Sequence, residues 1–108
     1  MSARLPSAVL VSALIRRVAE AGGFATVLAK GDAGGGGVLV VATDRGGAER
    51  LYERGLGSDG RTVLIESTPA EDPSGYWRRR RSRDPDLWVI ELDIPSAQRF
   101  AAEILLDD

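Results

Sequence analysis

The densest group of side chains that could do chemistry is a run of arginines in the segment YWRRRRSR, residues 76–83. Five of the 14 basic residues of the chain lie here: Arg78, Arg79, Arg80, Arg81 and Arg83. Guanidinium groups bind phosphates and carboxylates, and the neighbouring Trp77 offers a ring on which a nucleic-acid base can stack. These five arginines, called the arginine cluster below, and Trp77 are the candidate contact site for an anion or a partner.

The alternative for the arginine cluster is a solvated helix face whose charges are paired within the chain. Four carboxylates flank it: Glu71, Asp72, Asp84 and Asp86. Outside the cluster the chain has nine basic and 16 acidic residues, so the remainder is strongly acidic although the net charge of the whole chain is −2. That remainder would repel a polyanion approaching on the wrong face. A weak nucleic-acid or phosphate binder is therefore an alternative function and is not the favoured one.

A group of acidic residues follows directly in the segment DPDLWVIELD, residues 84–93. Its carboxylates could hold Mg²⁺ or exchange protons with a substrate. Pro85-Asp86 followed by Glu91-Leu92 is similar to the motif of a large nuclease class, but Asp93 stands where that motif has a lysine. A carboxylate- or magnesium-dependent enzyme acting near Asp84–Asp93 is therefore the second alternative function.

The same segment is also typical of a half-buried strand. A two-residue period places Trp88, Ile90 and Leu92 on one side and Val89, Glu91 and Asp93 on the other. The first set is entirely apolar. We therefore expect Trp88 to anchor the core.

The residue types that are missing exclude much chemistry. The chain has 108 residues and contains neither cysteine nor histidine. This excludes a disulfide framework, a serine–histidine–aspartate triad and a thiolate nucleophile. The usual ligands of zinc, cysteine and histidine, are absent as well. The sequence predicts no catalytic residue, no cofactor and no metal site.

Two apolar or glycine-rich segments suggest functions that their context argues against. Gly31–Gly36 leads from one strand to another rather than into a helix, which favours a flexible hairpin connection over a phosphate-binding loop. Ala8–Ile15 has the outline of a short signal peptide, but its spacing and the following Arg16-Arg17 favour an amphipathic core helix. No stretch approaches the roughly 20 apolar residues of a membrane span. We therefore expect a cytoplasmic protein that makes no membrane contact.

Periodicity and turn residues predict a single α+β domain over residues 1–108. Ser7 is the expected N-cap of the first helix. Before the second helix, Asp72 is the expected N-cap and Pro73 the expected first helical residue. Asp44–Gly47 is the expected hairpin turn. Helices are predicted at Ala8–Ala21, at Tyr76–Arg83 and after Pro95-Ser96; strands are predicted at Phe24–Lys30, Val38–Thr43, Ala48–Arg54, Arg61–Ser67 and Leu87–Asp93. The predicted order is α-β-β-β-β-α-β-α, with an antiparallel sheet of about five strands covered on one side by helices.

Three segments resemble a known family. They are VSALIRR (residues 11–17), AGGFATVLAKGDAGGGGVLV (residues 21–40) and DPDLWVIELD (residues 84–93), of which Asp84–Trp88 is the most specific. They look like the domain-of-unknown-function family 1491, a set of small alphaproteobacterial proteins of about this length. The resemblance implies a compact α+β fold. It implies no activity and no functional residues.

The favoured function is a small, non-catalytic interaction module whose partner is another protein or a second copy of the chain. This interpretation follows from the missing histidine and cysteine and from the lack of any coherent catalytic set. The arrangement of charges around the arginine cluster distinguishes an interaction module from a nucleic-acid binder. A basic surface joined by Arg16, Arg17 or Arg99 would favour nucleic acid, and carboxylates within pairing distance would favour a structural role.

Overall fold

The computed structural model describes residues 5–106, and its elements follow the predicted order. The helices are α1 (Ser7–Glu20), α2 (Pro73–Arg83) and α3 (Ala97–Leu105). The strands are β1 (Phe24–Ala29), β2 (Val38–Thr43), β3 (Arg50–Leu56), β4 (Thr62–Glu66) and β5 (Trp88–Asp93). These elements form a single compact α+β domain, as the sequence predicts. Within the described residues no helix is long and apolar enough to cross a membrane.

The sheet is mixed rather than wholly antiparallel, and this corrects the predicted topology. The strand order is β1-β5-β2-β3-β4, with β5 antiparallel to β1 and parallel to β2. Only β2, β3 and β4 form the expected antiparallel meander. Every residue of β2 is buried, so this strand needs a neighbour on both sides, and the apolar β5 supplies the second one. The chain between β1 and β2 therefore crosses the start of β5 and is not a hairpin.

Helices cover both faces of the sheet, whereas one covered side was expected. The larger core joins α1 and α3 to one face, which carries Val40, Tyr52 and Ile90. A smaller core joins α2 to the opposite face. Trp88 is only 5% exposed and lies in the larger core, which confirms its predicted place. Its indole N–H donates to the Asp32 carbonyl at 2.7 Å.

The glycine-rich segment is pinned in place and is not the flexible connection that was expected. The Asp32 N–H donates to the Asp86 carbonyl at 3.0 Å. Gly36 packs so tightly against the same carbonyl that a side chain there would clash with it. The hydroxyl of Ser7 donates to the Gly36 carbonyl. The segment therefore locks the start of β5 to the start of α1.

The same segment also caps α1, which removes the predicted role of Ser7. The N-cap is Pro6, and Ser7 is the first helical residue. The amides of Ser7 and Ala8 donate to the carbonyls of Gly34 and Ala33 at 3.3 and 3.0 Å. Because loop carbonyls satisfy these amides, the start of α1 is closed to an anion.

Two predicted turn features are confirmed. Arg45 and Gly46 both have positive φ, at 54° and 74°, the pattern of the tight hairpin turn expected between β2 and β3. Asp72 is the N-cap of α2 and Pro73 its first residue. The Asp72 carboxylate accepts from the amide of Gly75 at 3.0 Å.

Candidate functional site

Helix α2 carries the arginine cluster and is held against the sheet by its one buried residue, Trp77. The indole packs in the smaller core with residues of β2, β3 and β5, such as Val41, Leu51 and Val89. An aromatic side chain of this size fixes both the position and the rotation of a short helix. Trp77 therefore serves as the anchor of α2, and its ring is not an open stacking surface.

Arg80 points inward and forms the strongest ion pair among the described residues. Its Nη2 lies 2.9 Å from Oε1 of Glu53, and its Nη1 donates to Oε2 of the same carboxylate. The Ser67 hydroxyl donates to that carboxylate at 2.7 Å, and the Tyr76 ring centroid lies 5.8 Å from the guanidinium. This bidentate geometry is specific to arginine. It fastens α2 to β3.

The Arg80–Glu53 pair shifts the pKa of both of its members. Burial raises the pKa of Glu53, but the hydrogen bonds from Arg80 and Ser67 and the charge of Arg80 outweigh burial, so that pKa lies below its usual value. The hydrogen bond to Glu53 raises the pKa of Arg80 against an opposing effect of burial. Both groups are therefore charged at neutral pH, and their charges are already used within the chain.

Arg81 also turns inward. Its Nη2 donates to the carbonyl of Lys30 at 2.9 Å, which ties the last turn of α2 to the residue that follows β1. The Nε of Arg81 and the indole nitrogen of Trp77 are buried and have no hydrogen-bond partner among the described residues. One helical turn separates the two residues, so both donors face the sheet from the same side of α2.

The outer face of α2 consists of the remaining three arginines, Arg78, Arg79 and Arg83. All three are exposed, and none forms an ion pair with a carboxylate of residues 5–106. The guanidinium of Arg78 lies over the Trp77 ring at 5.1 Å, which steadies its stem without neutralising its charge. This surface is called the outer arginine face below.

The carboxylates beside the cluster do not form the ion pairs that sequence proximity suggests. Asp72 caps the start of α2, and the Asp84 carboxylate accepts from the amide of Asp86 at 3.1 Å. Both carboxylates are thus committed to backbone amides at the helix ends. The single carboxylate that pairs with the cluster within residues 5–106 is Glu53, which lies 27 residues away in the sequence.

A polar cleft of about 240 Å³ opens beside the Arg80–Glu53 pair. It is lined by the glycine segment at Gly35–Gly37, by Arg54 on β3 and by Asp84 after α2. The two sequence motifs of glycines and arginines therefore meet in space. Two acidic and two basic side chains line the cleft, so it offers no net charge to attract an anion.

The arginines of the other helices do not extend the outer arginine face. Arg17 belongs to α1, which packs on the opposite side of the sheet. Its guanidinium pairs with Glu103 at 3.1 Å and lies over the Phe100 ring at 5.0 Å. Because the sheet separates α1 and α3 from α2, Arg16, Arg17 and Arg99 cannot join one basic surface with the cluster.

The acidic residues of Asp84–Asp93 lie on different elements: Asp84 follows α2, whereas Glu91 and Asp93 lie on β5. Among the described residues no group of three or more suitable ligands could hold a metal ion. Asp93 accepts from the amide of Arg45 at 2.7 Å. Burial, then the charges of Glu49 and Asp93, raises the pKa of Glu91. The carboxylate-dependent enzyme therefore gains no support from this geometry.

The fold and the site define a small α+β protein in which a mixed five-stranded sheet presents an arginine-bearing helix on one face. The chain belongs to the DUF1491 family, described as a protein of unknown function, whose model matches residues 5–102. This membership confirms the resemblance found in the sequence. A comparison with curated proteins finds no match.

Solved structures of related proteins have the same fold. A crystal structure of a DUF1491 family protein from Caulobacter crescentus CB15 is 38% identical, with a TM-score of 0.80, and the match covers 90% of this chain and 94% of that one. An NMR structure of a DUF1491 protein from the same organism is 36% identical over 92% and 94% of the two chains, with a TM-score of 0.76. A protein from A. tumefaciens is 35% identical over 87% and 89%, with a TM-score of 0.69. None of these descriptions names a function.

Proposed function

We propose that the protein is a non-catalytic interaction module that binds a short acidic segment of a partner protein through the outer arginine face. The observation that carries this proposal is the division of the arginine cluster. Arg80 and Arg81 are used to attach α2 to the sheet, whereas Arg78, Arg79 and Arg83 are exposed and have no carboxylate partner among residues 5–106. Guanidinium groups presented in this way bind carboxylates with bidentate hydrogen bonds.

The attachment of α2 favours binding because it presents the arginines on a rigid element. The Trp77 anchor, the Arg80–Glu53 pair and the hydrogen bond from Arg81 to Lys30 fix the helix at three places. A helix that is ordered before it meets its partner loses less conformational entropy on binding. On this side of the interface, only the arginine side chains must become ordered when the partner binds.

The length of the outer arginine face favours a short acidic segment over a nucleic acid. Helix α2 has 11 residues, which corresponds to about 16 Å at 1.5 Å per residue. Carboxylates stand at both ends of it: Glu71, Asp72, Asp84 and Asp86. A continuous polyanion would run over these carboxylates, whereas a few acidic residues of a peptide fit between them. A nucleic acid bound through these three arginines would also make few phosphate contacts. The logarithm of its binding constant would fall with the logarithm of the salt concentration with a slope of only about −2 to −3.

The test is fluorescence anisotropy with a labelled glutamate-rich peptide and with labelled single- and double-stranded oligonucleotides. The variant R78E/R79E/R83E removes the outer arginine face. R16E/R61E/R99E is the matched control, since it reverses the same number of exposed arginines elsewhere. We expect wild type and control to bind the peptide and R78E/R79E/R83E to lose binding. Circular dichroism checks that both variants fold.

Two results would overturn the proposal. Equal peptide binding by the two triple variants would mean that net charge alone determines the interaction. Tighter binding of an oligonucleotide than of the peptide, abolished in R78E/R79E/R83E, would assign the same surface to nucleic acid.

We also propose that the protein is bacterial and acts in the cytoplasm. Relatives from Caulobacter crescentus and A. tumefaciens support a bacterial origin. The cytoplasmic site of action is supported by the apolar run Ala8–Ile15, which forms part of α1 and contributes Leu10, Val11 and Leu14 to the core. Cell fractionation of the source bacterium tests this location, and recovery in the periplasmic fraction would contradict it.

A further inference from the structure

Strand β1 is an unprotected edge of the sheet. It pairs with β5 on one side only, and its other side has no neighbouring strand among the described residues. No charged residue occurs from Ala21 to Ala29. Phe24 is 74% exposed and Val27 is 38% exposed. An exposed, uncharged and partly apolar edge is a template for pairing with another strand.

The opposite edge, β4, exposes apolar side chains to the same extent but is surrounded by charge. Leu56, at the end of the neighbouring β3, is 73% exposed, and Ile65 on β4 is 40% exposed. Arg61 lies 3.8 Å from Asp59 at the start of β4, and Glu66 lies 3.8 Å from Arg50 at its end. Charged side chains at a sheet edge oppose the approach of another strand. The two edges therefore match in apolar exposure and differ in the charges on and directly beside the strand: β4 has Arg61 and Glu66, whereas β1 has Lys30 alone.

From this difference we infer that β1 pairs antiparallel with β1 of a second copy of this chain, which joins the two sheets into one of ten strands. Charge complementarity identifies the occupant as a second copy. Glu20 is the last residue of α1, separated from β1 by three residues, and Lys30 follows β1. Antiparallel pairing places the end of one strand beside the start of the other, so Lys30 of each copy lies at the end of the edge where α1 of its mate ends at Glu20. Both residues are exposed and form no ion pair within residues 5–106.

The geometry of β1 also explains why such pairing stops at two copies. The pairing of β1 with β5 is irregular between Val27 and Ala29, so the regular edge is limited to Phe24–Val27. A two-fold axis at this edge uses both β1 strands and leaves none for a third copy. The axis is perpendicular to the sheet, so both copies of α2 lie on one side. The inference does not depend on the proposed function of the outer arginine face.

The first test measures the mass of the protein in solution by sedimentation equilibrium over a wide range of concentrations. F24K/V27K introduces charge at the β1 edge, and L56K/I65K is the control, since it changes side chains of matching exposure at the β4 edge. We expect wild type and L56K/I65K at twice the chain mass and F24K/V27K at the chain mass. A wild type that remains at the chain mass, or a dimer that only L56K/I65K dissociates, overturns the inference.

The second test uses the lack of cysteine in the natural sequence. Ala25 and Thr26 lie at the centre of the regular edge, so one of them falls next to the two-fold axis. Directly opposed residues of antiparallel strands have Cα atoms about 4.5–5.5 Å apart, within the reach of a disulfide. We expect A25C or T26C to form a disulfide-linked dimer under mild oxidation and I65C not to do so. Cross-linking of I65C alone would place the contact at β4 and contradict the inference.

Discussion

Replacing Gly36 by alanine tests whether the glycine segment is a structural clamp. A Cβ at Gly36 would lie well under 3.0 Å from the Asp86 carbonyl, and real Cβ atoms essentially never come so close. The two backbones must then separate by about 1 Å or more. That movement breaks the hydrogen bond from Asp32 to Asp86 and the one from Ser7 to Gly36.

The expected loss of stability adds two effects. Overpacking costs about 1–3 kcal/mol, and each lost hydrogen bond costs about 0.5–1.5 kcal/mol. The free energy of unfolding should therefore fall by about 2–6 kcal/mol, out of the roughly 5–15 kcal/mol usual for a domain. For a domain of this size even about 2 kcal/mol lowers the melting temperature by about 8 °C or more.

The matched control is Gly35→Ala, one residue earlier in the same segment. A Cβ at Gly35 meets nothing within 4 Å, and the backbone there does not need positive φ. This change should leave stability the same or raise it by about 0.4–1 kcal/mol, because it restricts the unfolded chain. Urea unfolding followed by circular dichroism measures both variants. Equal stabilities of G35A and G36A would refute the clamp.

Three further changes have definite expected outcomes. Trp88→Ala should cost about 3–5 kcal/mol because it empties a site in the larger core, and an unchanged melting temperature would contradict its placement. Because the folded pKa of Glu53 is lowered, its ionisation contributes stability above the unfolded pKa of about 4.3, and that contribution is lost as pH falls through the folded value. Glu53→Gln should therefore be less stable than wild type at neutral pH, and the difference should shrink on acidification in pH-dependent urea unfolding. Because the folded pKa of Glu91 is raised, its contribution is present below the unfolded pKa and is lost as pH rises through the folded value. Glu91→Gln should therefore be the more stable protein at neutral pH and should lose this advantage in acid; a variant that is less stable at neutral pH would contradict the sign.

The elements could be predicted because local signals determine them. Alternation on β5 placed Trp88, Ile90 and Leu92 on one face, and the structure places all three in the larger core. The Asp72-Pro73 pair marked the start of α2 in the same way. These features depend on residues that are neighbours in the chain, which is the range over which periodicity and turn chemistry operate.

The strand order could not be predicted in this way. Alternation indicates which face of a sheet a side chain occupies but not which strand lies beside it. The short glycine segment between β1 and β2 is compatible with a hairpin. It becomes a crossover because β5, from the far end of the chain, inserts between the two strands. The signal that could have indicated this is the uninterrupted apolar character of β2, since a strand buried on both faces often has a parallel neighbour.

The candidate site was predicted only in part for a similar reason. The arginine cluster was visible in the sequence, but its division into inner and outer arginines depends on where Trp77 docks. Two-residue alternation places Glu53 on the same side of β3 as Leu51, which lies in the smaller core. What the sequence lacks is the information that α2 covers that side. The carboxylates closest in sequence bind backbone amides instead of the arginines.

The central position of β5 has a consequence for how the chain is made. During synthesis the ribosome releases β1 and β2 long before β5, yet each needs β5 as its neighbour in the sheet. Until residues 88–93 emerge, the nascent chain holds a meander and a separate strand with nothing to join them. Pairing between such distant segments is slow, and apolar strands that wait for a partner are prone to aggregate. A chain cut short just before Trp88 would therefore lack the strand that joins β1 to the meander, and its 87 residues could not assemble the native sheet.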